Sequence, residues 1–198
     1  PPPPATAGST ADAGVLGRTL DRTTSVTLES NATRTAFDAV NGYSEGAGVI
    51  FDTGAQVTKT AGRDVDFVVN SARNIGMATG SALRSSRGAI DVDFNADAKG
   101  APLPDELPIT LNSLAPRAAS ILMQQATIES NGGDIRFYGQ GSATSGRAVG
   151  GVPANGDGDF ANGIQLNNSL VSTCAQGAAS CSGGGQVSMR GQGSTGTL

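Results

Sequence analysis

Apolar residues in this chain come in short alternating groups, not in helical stripes, and the groups recur at long fixed distances. Leu83, Ile90 and Val92 in "ALRSSRGAIDV", shifted by 45, fall on Ile128, Ile135 and Phe137 in "TIESNGGDIRF". Ser85 then falls on Ser130 and Gly88 on Gly133. The group before them agrees to within one residue, "IGM" 75–77 landing on "ILM" 121–123. A shift of 43 carries Ile121, Met123 and Ile128 onto Ile164, Leu166 and Val171. Beyond them the shift becomes 52, placing Gly133, Ile135, Phe137 and "GQGS" 139–142 on Gly185, Val187, Met189 and "GQGS" 191–194. Towards the N-terminus, Val49, Phe51 and Val57 precede Ile75, Met77 and Leu83 by 26, and Val65 and Phe67 precede Ile90 and Val92 by 25. The string "DVDF", at 64–67 and 91–94, offers a competing alignment; the shift near 25 is preferred because it keeps the earlier strands matched.

Each unit therefore holds three short strands: V/I-x-F/M/L, then one ending at V/L/I, then V/I-x-F/V/M after small residues. Alternation puts the named residues on one face, and glycines between strands permit tight corners. A unit of about 25 residues with three strands predicts an all-β parallel β-helix (a β-solenoid) in which each coil covers the next. The outward positions give a separate check. Arg84 is expected beside Glu129 and Asp91 beside Arg136, opposite charges worth about 0.2–1 kcal/mol per pair. Asp66 beside Asp91 is a like-charge cost. On the first strand the outward residues are Ile50, Gly76, Leu122 and Gln165, with Ile50 and Leu122 hinting at an apolar patch.

The remaining segments interrupt the repeat. Residues 95–120 and 139–163 are too long for one coil and read as excursions, as does the insertion about 173–183; prolines 102, 104, 108 and 116 resist ladder pairing, although "ITL" 109–111 could add a strand. "TSVTLESNA" and "RTAFDAV" read as an earlier, less regular coil. Residues 1–18, opening "PPPPATAGST", read as a linker or boundary, and 19–198 as a single β-helix segment. No helix of ordinary length is visible. Without an initiator Met or a secretory signal, the chain is expected to be an excised or processed piece.

Composition narrows the function classes. Gly is 29 of 198 residues and the net charge is −4, a balance of glycine punctuation and β-branched residues unlike that of a disordered tail. Mild acidity with scattered basic residues argues against nucleic acid. No apolar run approaches the ~20 residues needed to span a bilayer. Cys174 and Cys181 flank the small loop "AQGAAS", which suggests a loop disulfide and an oxidising compartment. Two reduced thiols are the alternative, and two thiols alone make a poor zinc site.

Candidate chemistry is sparse. Asp64, Asp66, Asp91, Asp93 and Asp134 cluster about the third strand, and paired carboxylates are what glycoside hydrolysis requires. The chain has no His, no Trp and only two tyrosines, Tyr43 and Tyr138; a sugar cleft wants aromatic platforms and an acid/base pair needs tuned environments, so a solvated strand face is the simpler reading. "NGDGDF" 155–160 places Asn155, Asp157 and Asp159 like the start of a calcium loop, but Phe160 stands where glycine is needed. "NAT" 31–33 matches a glycosylation acceptor at Asn31. Gln124, Gln125, Asn167 and Asn168 form polar ladders that could meet a polymer or simply stack.

The motif A-x-I-x-S-N-G-G-D-I-x-F-x-G at 126–139, with its copies "GSALRSSRGAIDV" and "GIQLNNSLVS…GGGQVSMRGQGS", resembles the repeats of bacterial large exoproteins. These include filamentous-haemagglutinin-type adhesins exported by two-partner secretion. The resemblance covers about residues 49–194. It implies a right-handed β-helix on or outside the cell and a structural, adhesive role: attachment to a host or neighbouring-cell receptor, glycan or matrix. The Asn-Pro turns of such export domains are absent, so the resemblance points to the rod. It carries over no catalytic residue and no cofactor. Two other readings stand beside it: a filament subunit whose coil ends near 49 and 194 stack on further copies, and a β-helical polysaccharide hydrolase or lyase.

Overall fold

The structure, a computed structural model, describes residues 10–30, 48–72, 74–96, 98, 120–149, 162–175, 178 and 184–193. Near the N-terminus lie helix α1 (Ala13–Asp21) and strand β1 (Val26–Glu29). Four tiers of three strands follow. The first is β2 (Val49–Phe51), β3 (Gln56–Lys59) and β4 (Val65–Ser71). The second is β5 (Ile75–Met77), β6 (Ala82–Ser85) and β7 (Ile90–Ala96). The third is β8 (Ile121–Gln124), β9 (Thr127–Glu129) and β10 (Ile135–Gly139), with the short β11 (Ala148–Val149) after it. The fourth is β12 (Ile164–Asn167), β13 (Leu170–Ser172) and β14 (Val187–Met189), followed by β15 (Gly191–Gln192). Strands that are three apart in sequence order pair in parallel across most of the molecule. They build the sheets β2-β5-β8-β12, β3-β6-β9-β13 and β1-β4-β7-β10-β14; β11 pairs with β15. The fold is all-β with parallel sheets.

The predicted registers hold in most places. Val49 and Phe51 lie beside Ile75 and Met77, Leu83 beside Ile128, Ile121 beside Ile164, Val171 beside Ile128 and Val187 beside Ile135. The "DVDF" alternative is excluded, because Val65 pairs with Ile90 and Asp66 with Asp91. One register is corrected. Ile135 pairs with Val92 and Phe137 with Phe94, so β10 sits two residues along β7 from its expected place. The corner from Leu83 to Val92 is two residues longer than that from Ile128 to Ile135. A slip of two keeps every side chain on its own face, whereas a slip of one would turn the strand inside out. The pattern of apolar positions therefore could not distinguish the two registers. Gly133 accordingly lies over Ile90, not over Gly88.

Apolar side chains from the three sheets fill the interior. Phe67, Phe94, Phe137, Ile75, Met77, Leu83, Ile90, Ile121, Met123 and Ile128 are fully buried. Phe94 stacks on Phe137 at 5.2 Å between ring centres and lies 5.8 Å from Phe51. One inward column is polar. Lys59, Ser85 and Ser130, at successive ends of the second strand, are all buried. The Lys59 ammonium donates to the carbonyls of Ala61 and Arg87. Ser85 and Ser130 donate through Oγ to Gly88 and Gly133, each at 2.6 Å. These side chains satisfy corner carbonyls that would otherwise be buried without a partner. Burial pushes the Lys59 ammonium below its ordinary pKa, while Asp21 and Asp64 act in the opposite direction.

The corner between first and second strands also repeats. It holds Gly54, Gly80, Gln125 and Asn168 in successive tiers, each with φ between 47° and 75°. The amide of Gly80 donates to the Gln125 carbonyl. The polar ladder of Gln125 and Asn168 is thus part of a left-handed corner, a backbone state that Asn tolerates and glycine favours.

Two segments depart from expectation. Residues 1–18 were expected to be a linker and no helix was expected, yet Ala13–Asp21 is helical and crosses that boundary. Asp12 caps it by accepting from the Val15 amide at 2.8 Å. Leu20 is fully buried. A Cβ on Gly17 would come within 2.6 Å of the Thr58 carbonyl, so glycine lets the helix lie close against β3. The "GQGS" strings do not stack: Gly191 and Gln192 pair with Ala148 and Val149. Within the expected 139–163 and 95–120 excursions, Gly139 ends β10, residues 148–149 form β11, and Asn95 and Ala96 complete β7. Residues 140–147 form the turn from β10 to β11; the rest of both segments, with "ITL" 109–111 and "RTAFDAV", lies outside the described residues apart from residues 98, 120, 162 and 163.

The helix is fastened by Asp21. Its Oδ1 accepts from the amides of Thr60 and Ala61 at 2.6 and 2.8 Å, and its Oδ2 from the Thr60 hydroxyl at 3.2 Å. Burial alone would raise the Asp21 pKa, but these hydrogen bonds and Lys59 outweigh it and hold it below the usual value. A carboxylate whose folded pKa is depressed contributes stability above its unfolded pKa and loses it as pH falls through the folded one. Protection of the Thr60 and Ala61 amides from hydrogen exchange is therefore expected to fall as pH drops below about 4. In Asp21→Asn this acid step should be absent and protection lower at neutral pH.

Candidate functional site

The acidic cluster predicted on the third strand occurs, and its order along the stack defines what it does. Ser25, Asp66, Asp91, Asp134 and Gln186 occupy matching places just before or within β1, β4, β7, β10 and β14. Ser25 Oγ accepts from the Asp66 amide at 3.0 Å, Asp91 Oδ1 from the Asp134 amide at 2.8 Å, and Asp134 Oδ1 from the Gln186 amide at 2.8 Å. Two positions earlier, Asp64 Oδ1 accepts from the Ala89 amide at 2.8 Å. Ser25, Asp64, Asp91 and Asp134 thus each hold a backbone N–H just before or within the next strand in the sheet. The like-charged neighbours Asp66 and Asp91 turn apart: Asp66 accepts from the Ser25 hydroxyl at 3.1 Å, and Asp91 reaches to tier three. Carboxylates bound in this way are anchors between tiers.

Asp93 has a different partner from the expected one. The two-residue register correction puts Arg136 beside Asp93, not Asp91. Its Nε and Nη2 donate to Asp93 Oδ1 and Oδ2 at 2.6 and 3.1 Å, a bidentate pair. The hydrogen bond to Asp93 raises the Arg136 pKa against the opposing effect of burial. Arg84 and Glu129 are paired as predicted, Nε to Oε2 at 2.9 Å. The Arg136 side chain is 37% exposed, so solvent screens the pair. Arg136→Gln is expected to cost roughly 0.5–1 kcal/mol, shrinking in high salt, as read from urea denaturation at two ionic strengths.

On the outward face of the first sheet, Ile50, Gly76, Leu122 and Gln165 are register neighbours as predicted. The Ile50 side chain lies across Gly76, where an added Cβ would stand 2.8 Å from its Cδ1. Ile50 remains about half exposed. Tyr138 is buried beside Asn95, and burial, with Asp93 adding to it, pushes its phenol above the usual pKa.

The two ends of the tier stack differ. At one end α1 lies against β3 and β1 pairs with β4. At the other, Leu166, Val187 and Met189 are 37–46% exposed although they continue the buried columns, and Leu170, on the outward side of β13, is 49% exposed. β12, β13 and β14 each pair on one side only among the described residues. A shallow groove crosses this end, lined by Gln125, Ala126, Thr127, Leu166, Asn168 and Leu170.

No family model, curated protein or solved structure matches the chain. The site must therefore be read from its own residues. Cys174 is disulfide-bonded, and the chain's only other cysteine, Cys181, lies outside the described residues. Asn155, Asp157 and Asp159 of the calcium-loop candidate, and Asn31, also lie outside them. Among the described residues, no three acidic or thiol side chains gather to hold a metal ion. No described helix is long and apolar enough to cross a membrane. Sequence reasoning missed the Lys59–Ser85–Ser130 column. The match of Ser85 with Ser130 was its visible signal, and the third member, a lysine, obscured it.

Proposed function

We propose that the chain is a segment of a right-handed parallel β-helical rod from a secreted or surface-displayed bacterial exoprotein, with a structural and adhesive role. The observation that carries this reading is the register-matched return of each strand to its own sheet, tier after tier, with side-chain anchors running along the stack. Such a scaffold is stiff along its axis and presents its interruptions outwards, and recognition usually sits on loops of a rigid frame. The segments about 95–120 and 139–163 are the contact surfaces this reading favours, with a cell-surface receptor, glycan or matrix as the partner class.

The exposed, uncharged strands β12, β13 and β14 suit continuation by further tiers, since edges that must avoid pairing usually carry charges or prolines. A filament of end-to-end copies is less favoured, because α1 and β1 occupy the opposite end. A polysaccharide hydrolase or lyase is less favoured as well, because Asp64, Asp91 and Asp134 are committed to backbone amides.

Binding of the purified protein to arrays of matrix proteins, glycans and cells tests the adhesive role. Saturable binding that is lost on deleting residues 101–119, with the β circular-dichroism spectrum retained, is expected. Absence of binding across all three arrays would remove the adhesive part of the reading.

A further inference from the structure

Asn131 and Gly132 form an Asn-Gly step, the pair in which a backbone amide most readily attacks a side-chain amide, because glycine leaves the nitrogen unhindered. In the fold this step is held in three ways. The attacking nitrogen, Gly132 N, donates to the Thr173 carbonyl at 2.6 Å. The leaving nitrogen, Asn131 Nδ2, donates to the Gly88 carbonyl at 3.1 Å. The Asn131 amide donates to the Cys174 carbonyl at 3.1 Å, and the residue is fixed in the left-handed region at φ 54°. Two of the three restraints come from residues just after β13, in the tier whose column residues are the most exposed. Local opening is easiest where burial is least, and the disulfide at Cys174 tethers this part of the chain.

We propose that Asn131 is a deamidation site gated by the fourth tier. While Thr173 and Cys174 cover it, the Asn-Gly step is inert. When they withdraw, Gly132 N loses its proton to solvent base and bonds to Asn131 Cγ; Nδ2 takes a proton from solvent, the Cγ–Nδ2 bond breaks and ammonia leaves. Water then opens the five-membered imide. Attack at Cγ gives aspartate, and attack at the main-chain carbonyl gives an isoaspartyl linkage. One water is consumed, one ammonia is released, and no electron is transferred. The product cannot re-form the lock, because a carboxylate replaces the donor to Gly88 and an isoaspartyl linkage lengthens the corner backbone. Opening of the fourth tier would thus be recorded permanently in the third.

The test compares Asn131 conversion, by peptide mapping and isoaspartyl assay in mildly alkaline buffer, in four samples: the folded oxidised protein, the same with a thiol reductant, Val171→Asp, and a free peptide of sequence SNGGD. With Tyr43→Phe in every protein sample, Tyr138 is the sole tyrosine, and its fluorescence reports whether the third tier stays folded. Conversion is expected to be slowest in the oxidised protein, several-fold faster with reductant or in Val171→Asp, and fastest in the peptide. A folded-protein rate equal to that of the peptide would overturn the lock. Rates unmoved by both reductant and Val171→Asp would overturn the fourth tier as its gate.

Discussion

Phe94→Ala is expected to lower the stability of the protein by about 3–5 kcal/mol, the range for removing a fully buried phenylalanine. Phe94 has no exposed surface. Its ring stacks on Phe137 of the next tier and approaches Phe51 of another sheet, at 5.2 and 5.8 Å between centres. Truncation empties the place where three tiers and two sheets meet, and neither neighbouring ring can fill it without leaving its own column. Urea denaturation measures the loss. Phe137→Ala in the same background should be less than additive, since contacting residues couple. A loss below about 1 kcal/mol for Phe94→Ala would place that side chain outside the interior.

Gly133→Val is the second large effect. A Cβ at this position would fall on the Ile90 carbonyl and crowd the Asp91 amide, both of them backbone. The Gly133 backbone is in turn crowded by any Cβ on Gly185. A flexible side chain could swing away from such a contact, but paired backbone cannot. The second and third tiers must separate locally, breaking ladder hydrogen bonds and the Asp91–Asp134 anchor. The expected loss is about 3 kcal/mol, the upper part of the usual range for overpacking. Gly133→Ala should cost somewhat less. Gly185→Ala, at the exposed end of the stack, should cost less than Gly133→Ala. The reverse order would contradict the stacking.

The repeat was legible because inward positions are apolar and recur; this located three strands per tier and most of their neighbours. The β7–β10 register was not, because a two-residue slip preserves the inward pattern and only corner length separates the choices. Arg136 was consequently matched to Asp91 when its partner is Asp93. Helix α1 was hidden by Gly14 and Gly17, which lower helix propensity; the reason for Gly17, close approach to Thr58, exists only once β3 is in place. The "GQGS" strings misled in the opposite direction, as identical letters that pair with different partners. The acidic cluster was correctly located, but its work as inter-tier anchors depends on which amide each carboxylate reaches, and no one-dimensional spacing records that.

The central claim is that strands pair in parallel with the strand three or four places on, not with their sequence neighbours. Backbone nuclear Overhauser effects between strands test it most directly. The expected pattern links Met77 with Met123, Leu83 with Ile128 and Val92 with Ile135, in parallel order. Cross-peaks joining β5 to β6 or β8 to β9 as antiparallel hairpins would contradict it.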